Sequence, residues 1–243
     1  RLLLVSATVQ PMTGLIRWFI MTNISREMFQ TYLVAGTQNT GMDDFLNILE
    51  QALQASITCF QFREKGAGSL QDSDAILKYA TAAQALCRHY QVPFIIDDNL
   101  DLALQINADG IHVGQSDHPW HKIETAKAHG LITGLSCHTE QELHQSHNQP
   151  ILDYIGIGPI FPTNSKEDAK PALGTNRLRF LTQQSELPVV AIGGINQENV
   201  AQVAKTTVDG VAVISAITHA TDIAQAVQAL QKPWHRSTDE NQS

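Results

Sequence analysis

Eight times in succession this sequence pairs a short apolar run with a longer stretch whose apolar residues recur every three or four positions. The short runs are Thr31–Ala35, Ile57–Phe62, Pro93–Ile96, Gly110–Val113, Leu131–Ser136, Tyr154–Gly158, Pro188–Ile192 and Gly210–Ile214. Runs this apolar and β-branched do not face water on either side, so they read as parallel strands covered by helices. The first helix follows Asp43-Asp44 and places Phe45, Ile48, Leu49 and Leu53 on one face. Asp72–Tyr90 is a long helix, with Ala75, Ile76, Tyr79, Ala82, Ala83 and Leu86 spaced for burial. Leu100–Ile106, Trp120–His129, Thr139–Ser146, Asn176–Gln184, Gln197–Ala204 and Ile223–Leu230 supply the others. Eight such units in 243 residues predict a single closed (β/α)8 TIM barrel, which takes about 250 residues, over an open doubly wound sheet. No GxGxxG turn follows the first strand, which weakens a dinucleotide-binding fold.

The composition narrows the partners. With a net charge of -8, a nucleic-acid surface is not expected, since that needs a basic face. Small anions remain possible ligands of a local lysine and arginine cluster. Cys59, Cys87 and Cys137 form no CxxC pair, and reduced thiols in a cytoplasmic setting are the simpler reading. Leu2–Val5 and Leu15–Met21 are apolar but interrupted by Pro11 and Arg17, and neither reaches the ~18 residues of a membrane span. Residues 1–27 read as an appendage, 28–236 as the barrel and 237–243 as a polar tail. A homo-oligomer is compatible with this composition.

In a parallel barrel, chemistry gathers at the C-terminal ends of the strands. Strand two ends in Gln61-Phe62-Arg63-Glu64-Lys65. Alternation puts Gln61, Arg63 and Lys65 on one side and Phe62 and Glu64 on the other. Three donors on one side suit a diphosphate, or else form a solvated, charged strand end. Asp97-Asp98 ends strand three, and Gly114-Gln115-Ser116-Asp117 follows strand four. Asp98 and Asp117 on adjacent strands suit one Mg2+ ion. Singly, Asp97 or Asp98 is equally a helix N-cap before Leu100, and Asp117 a turn before Pro119. Ser136-Cys137-His138 ends strand five: Ser136 can bond a ligand oxygen, and His138 is an acid–base candidate or a simple polar contact. Neither has the setting of a hydrolase triad.

The stretch Ile155–Lys166 runs from a buried strand into Pro162-Thr163-Asn164-Ser165-Lys166, a loop of hydroxyls, amides and one cation suited to an oxyanion. Gly193-Gly194 after strand seven and Ile214-Ser215 after strand eight lie where this fold usually holds a phosphate. Each also reads as an ordinary turn or cap. Two anion sites and one metal site imply two phosphorylated substrates or one long one.

These pieces, in this order, resemble the thiamine-phosphate synthase (thiamine-phosphate pyrophosphorylase) family from about Tyr32 to Leu230. The stretches that carry the resemblance are Gln61–Lys65, Ile95–Leu104, Ala108–Asp117, Gly134–His138, Tyr154–Lys166, Val189–Ile195 and Asp209–Ile217. The resemblance implies a transferase. Its reaction would join 4-amino-2-methyl-5-(diphosphooxymethyl)pyrimidine to a thiazole phosphate and release pyrophosphate. It places the segment Gln61, Phe62, Arg63, Glu64 and Lys65, with Asp97, Ser136 and Lys166, at the pyrimidine diphosphate. It places Thr163, Ser165, Gly194, Ile214 and Ser215 at the thiazole phosphate, and makes Asp98 and Asp117 the Mg2+ ligands. Arg63, Lys65, Ser136 and Lys166 are the residues it makes catalytic. The family usually carries Asn-Asp where this chain has Asp97-Asp98, and Arg where it has Asn99. Two rival functions share the barrel: a thiazole tautomerase working through His138 without metal, and a non-catalytic binder of thiamine precursors.

Overall fold

The computed structural model describes residues 25–116, 119–148, 151–165 and 170–235. Asp117, Lys166 and the segments 1–24 and 236–243 lie outside the described residues. Eight parallel strands close into a barrel in chain order. They are β1 (Thr31–Ala35), β2 (Cys59–Phe62), β3 (Phe94–Asp97), β4 (Gly110–Val113), β5 (Ile132–Cys137), β6 (Tyr154–Ile157), β7 (Val189–Ile192) and β8 (Gly210–Val213). Pairing of Thr31 with Val211 and Leu33 with Val213 completes the ring. The single (β/α)8 TIM barrel expected from the alternation is the fold of this chain.

The helices outside the ring are α1 (Phe45–Gln54), α2 (Ser73–His89), α3 (Leu100–Gln105), α4 (Pro119–Ala128) and α5 (Glu140–His147). They continue with α6 (Gly174–Gln184), α7 (Val200–Ala204), α8 (Ser215–Thr218) and α9 (Ile223–Gln231). Their starts follow local chemistry. The Asp72 carboxylate accepts from Ala75 N at 2.8 Å and begins α2. Thr139 and Glu142 form a reciprocal capping box at the start of α5. Helix α7 begins later than its periodicity suggested. Asn199 Oδ1 accepts from Asn196 N, and its Nδ2 donates to Gly194 O, so these residues build a loop instead of a first turn. The one-turn helix α8 is too short to leave a periodic signal.

Two apolar cores result from strands buried on both faces. Leu33, Phe60, Phe62, Ile96, Ile111, Leu135, Ile157 and Val211 point outward and pack under the helices. Tyr32, Val34, Ile95, Ile132, Tyr154 and Val190 fill the barrel lumen. Each fully buried large apolar side chain contributes about 1.5–3 kcal/mol. Phe29 closes the lumen from the N-terminal side, its ring 4.6 Å from that of Tyr154. Gly210 makes this closure possible, because a Cβ there would lie 1.7 Å from Phe29 O. Residues 25–29 are tied to the same end: Arg26 Nη1 pairs with Asp209 Oδ1 at 2.7 Å.

Candidate active site

At the opposite, C-terminal end of the strands lie two adjoining cavities, of about 370 Å³ and about 680 Å³. Lys65, Thr163, Ser165, Gly194, Ile214 and Ser215 line both; Ser136 lines the first and Arg63 the second. Residues from strands β2, β5, β7 and β8 and the loop after β6 thus meet at one rim.

One side of this rim is charged. Strand β2 delivers Arg63, which is only 7% exposed, with Nε 3.3 Å from Asp97 Oδ2 and Nη1 donating to Lys65 O. The Lys65 ammonium, half exposed, pairs with Asp98 Oδ2 at 2.9 Å. Asp98 Oδ1 accepts from Gly114 N at 3.1 Å, and Asp98 N donates to His112 O. The ends of β3 and β4 are therefore stitched together through this carboxylate. Burial alone would raise the Asp98 pKa, but the Lys65 ammonium and the Gly114 N–H hold it below the usual carboxylate range. Asp98 also takes a left-handed backbone, φ 55°. The helix cap that sequence allowed for Asp97 or Asp98 falls instead to Asn99, whose Oδ1 accepts from Leu102 N. Both aspartates are thereby left to the cations around them.

The other side is lined by hydroxyls and backbone. Ser165 Oγ lies 3.5 Å from Ser215 Oγ, and Ser165 N donates to Thr163 Oγ1 at 3.2 Å. Gly193 and Gly194, at φ 102° and 65°, bring the chain after β7 against the loop after β6. Ser215 and Ala216, which begin α8, line the second cavity, while the N–H groups of Ile217 and Thr218 close the turn on Ile214 O.

Several expected residues stand elsewhere. Phe62 packs in the outer core, 5.8 Å ring to ring from Phe45, because alternation turns it away from the lumen. Glu64 braces two loops, accepting from Thr37 N, Thr37 Oγ1 and Leu70 N. Neither lines the two cavities. Gln61 points into the barrel below the cavity and donates to Tyr32 Oη at 2.9 Å. His138 does line the first cavity, its Nδ1 3.0 Å from Gly158 O and its backbone N donating to Glu142 Oε2.

Other residues at the site went unread in the sequence. His112 on β4 faces the lumen and contacts Ser136 Oγ through Nε2 at 3.0 Å. Lys170 lines the first cavity and pairs with Glu142 Oε1 at 3.2 Å. Burial opposes ionisation of Glu142, but the His138 and Thr139 N–H groups and Lys170 hold its pKa below the ordinary range.

The family model described as Thiamine monophosphate synthase matches residues 31–217. The chain belongs to the thiamine monophosphate synthase family. It is 66% identical over 221 residues to the thiamine-phosphate synthase of Latilactobacillus sakei, covering 91% of this chain and 99% of that one. It is 49% identical to the thiamine-phosphate synthase of Listeria welshimeri, covering 81% of this chain and 95% of that one. Among solved structures, the thiamine phosphate pyrophosphorylase of Pyrococcus furiosus superposes with a TM-score of 0.73 at 33% identity, over 86% of this chain and 96% of that one. As a member of the thiamine monophosphate synthase family the chain is a transferase, and the family match spans every strand of the barrel.

Proposed function

We propose that this chain couples the pyrimidine diphosphate to a thiazole phosphate, forming thiamine phosphate and pyrophosphate. The observation that carries this reading is one rim with two unlike anion-suited sides, a cationic side at Arg63 and Lys65 and a hydroxyl-and-amide side at Thr163, Ser165, Gly194 and Ser215. The relatives' names agree with it.

In this reading, Arg63 and Lys65 bind the diphosphate and take up the charge that grows on it as the C–O bond breaks. Lys166, outside the described residues, is assigned to the same group. The aminopyrimidine stabilises the cation left behind, so the reaction is dissociative. The thiazole nitrogen then attacks and carries no proton that must be removed. Neither a nucleophilic side chain nor a paired base is required, and the hydroxyls of Thr163, Ser165 and Ser215 need only hold the second phosphate within reach.

The donor chemistry fits a magnesium ion: Asp98 presents an ionised carboxylate at the edge of the cationic side. Among the described residues no three His, Cys, Asp or Glu cluster as a metal cage, and Mg2+ commonly takes only one or two carboxylates together with substrate phosphates. Asp98 and Asp117 are the residues assigned to hold it, and when bound it would neutralise charge on the departing pyrophosphate. Cys59, Cys87 and Cys137 are buried free thiols, which suits a reducing cytoplasmic setting. No helix among the described residues is long and apolar enough to cross a membrane.

The two sides can be separated kinetically. Replacing Ser165 and Ser215 together by alanine should raise KM for the thiazole phosphate about tenfold, the cost of roughly 1.4 kcal/mol of lost hydrogen bonding, while KM for the pyrimidine diphosphate stays unchanged. Equal effects on both KM values would refute the two-sided assignment.

A further inference from the structure

Beneath the cavity floor, five polar side chains from five strands form a continuous line through the barrel lumen. Gln61 Nε2 donates to Tyr32 Oη at 2.9 Å. Tyr32 Oη lies 2.9 Å from Tyr154 Oη, and Tyr154 Oη lies 3.0 Å from His112 Nδ1. His112 Nε2 lies 3.0 Å from Ser136 Oγ, at the cavity wall. Both tyrosines are about 1% exposed. The lumen is shaped around this line: a Cβ on Gly134 would come within 2.3 Å of Tyr154 Cζ and 2.6 Å of His112 Nδ1, and one on Gly156 within 3.2 Å of His112 Cε1.

We propose that His112 is a positioning residue: the chain Gln61–Tyr32–Tyr154 fixes its neutral Nε2–H tautomer, which holds the Ser136 hydroxyl as a hydrogen-bond donor into the cavity. The direction follows from counting protons. Each tyrosine hydroxyl has one hydrogen to give. Tyr32 accepts from Gln61, and within the line the acceptor left for its own hydrogen is Tyr154. Tyr154 accepts that bond, so its hydrogen goes to His112 Nδ1. Nδ1 is then bare and Nε2 carries the proton, which it donates to Ser136 Oγ. The Ser136 hydrogen cannot point back at His112 and is turned toward the cavity. Burial pushes the pKa of both tyrosines well above the ordinary phenol range, so both remain neutral hydroxyls. A donor directed at the cavity is the polarity that an anionic diphosphate oxygen needs. That consequence rests on the proposed reaction; the tautomer does not.

Two measurements test it. In protein labelled with 15N-histidine, the His112 resonances, assigned by their loss in His112→Gln, should show a bare Nδ1 and a protonated Nε2 without any substrate. A protonated Nδ1 would overturn the proposal. The second is a cycle between Tyr154→Phe, which keeps the ring packed on Phe29, and Ser136→Ala. Tyr154→Phe alone should lower kcat on the order of tenfold by loosening the Ser136 hydroxyl, and should cost nothing further once Ser136 is alanine. Losses that multiply in the double variant would show that Tyr154 does not act through Ser136, and would overturn it. The labelled spectrum keeps the two readings apart: the expected tautomer in a protein that makes no thiamine phosphate sinks the proposed function alone.

Discussion

Replacing Lys65 by alanine is expected to lower kcat about 100- to 1000-fold, the usual cost of removing one group that stabilises charge in the transition state. The ammonium stands at the cavity rim, half exposed, 2.9 Å from Asp98 Oδ2. Little of the fold depends on it, because the ammonium is half exposed and Asp98 keeps its bond from Gly114 N. The thermal midpoint should therefore stay near that of the unaltered protein while turnover falls. Steady-state rates and a thermal melt on the same preparation decide the matter. A rate close to that of the unaltered protein would remove Lys65 from the leaving-group side of the site.

Gly194→Ala is expected to act on the other side of the rim. Gly194 is held at φ 65°, where any Cβ is strained, and a methyl group would lie 2.7 Å from both Phe161 Cβ and Pro162 O. Those atoms belong to the loop that carries Thr163 and Ser165. A left-handed conformation costs an ordinary residue about 1–2 kcal/mol, and relief would come from moving this loop away from Ser215. A displacement costing that much in binding corresponds to a KM for the thiazole phosphate raised about 5- to 30-fold, with the pyrimidine diphosphate much less affected. Substrate-dependence curves for each partner check this. An unchanged KM for the thiazole phosphate would mean that the turn is only a strand-to-helix connection.

The barrel was legible because its signal repeats. The strands are largely buried on both faces, so most show as mainly apolar runs, and Gly or a charged residue marks where several of them stop. The rim residues were legible for the same reason, since polar residues at the ends of apolar runs have few other places to go. What lies inside the lumen was not. His112 sits within Gly-Ile-His-Val, where nothing local distinguishes a solvated histidine from one packed between Gly134 and Tyr154. That neighbourhood exists only through the pairing of His112 with Gly134 and of Gly134 with Tyr154. The order along one strand does not reveal the register of the next. Phe62 and Glu64 illustrate the converse. Alternation turns both away from the lumen, and only the family resemblance put them at a substrate; they pack the outer wall and brace two loops. Asn99 shows a third limit. Asp97 and Asp98 were the caps the sequence offered, whereas Asn99, just past the left-handed turn at Asp98, makes the bond.

The most direct test is to mix the purified chain with the pyrimidine diphosphate, the thiazole phosphate and Mg2+, and to quantify both products. Thiamine phosphate and pyrophosphate should appear in equal amounts, and neither should form when either substrate is left out. Binding of both substrates without turnover, or rearrangement of the thiazole with the pyrimidine diphosphate left intact, would contradict the account.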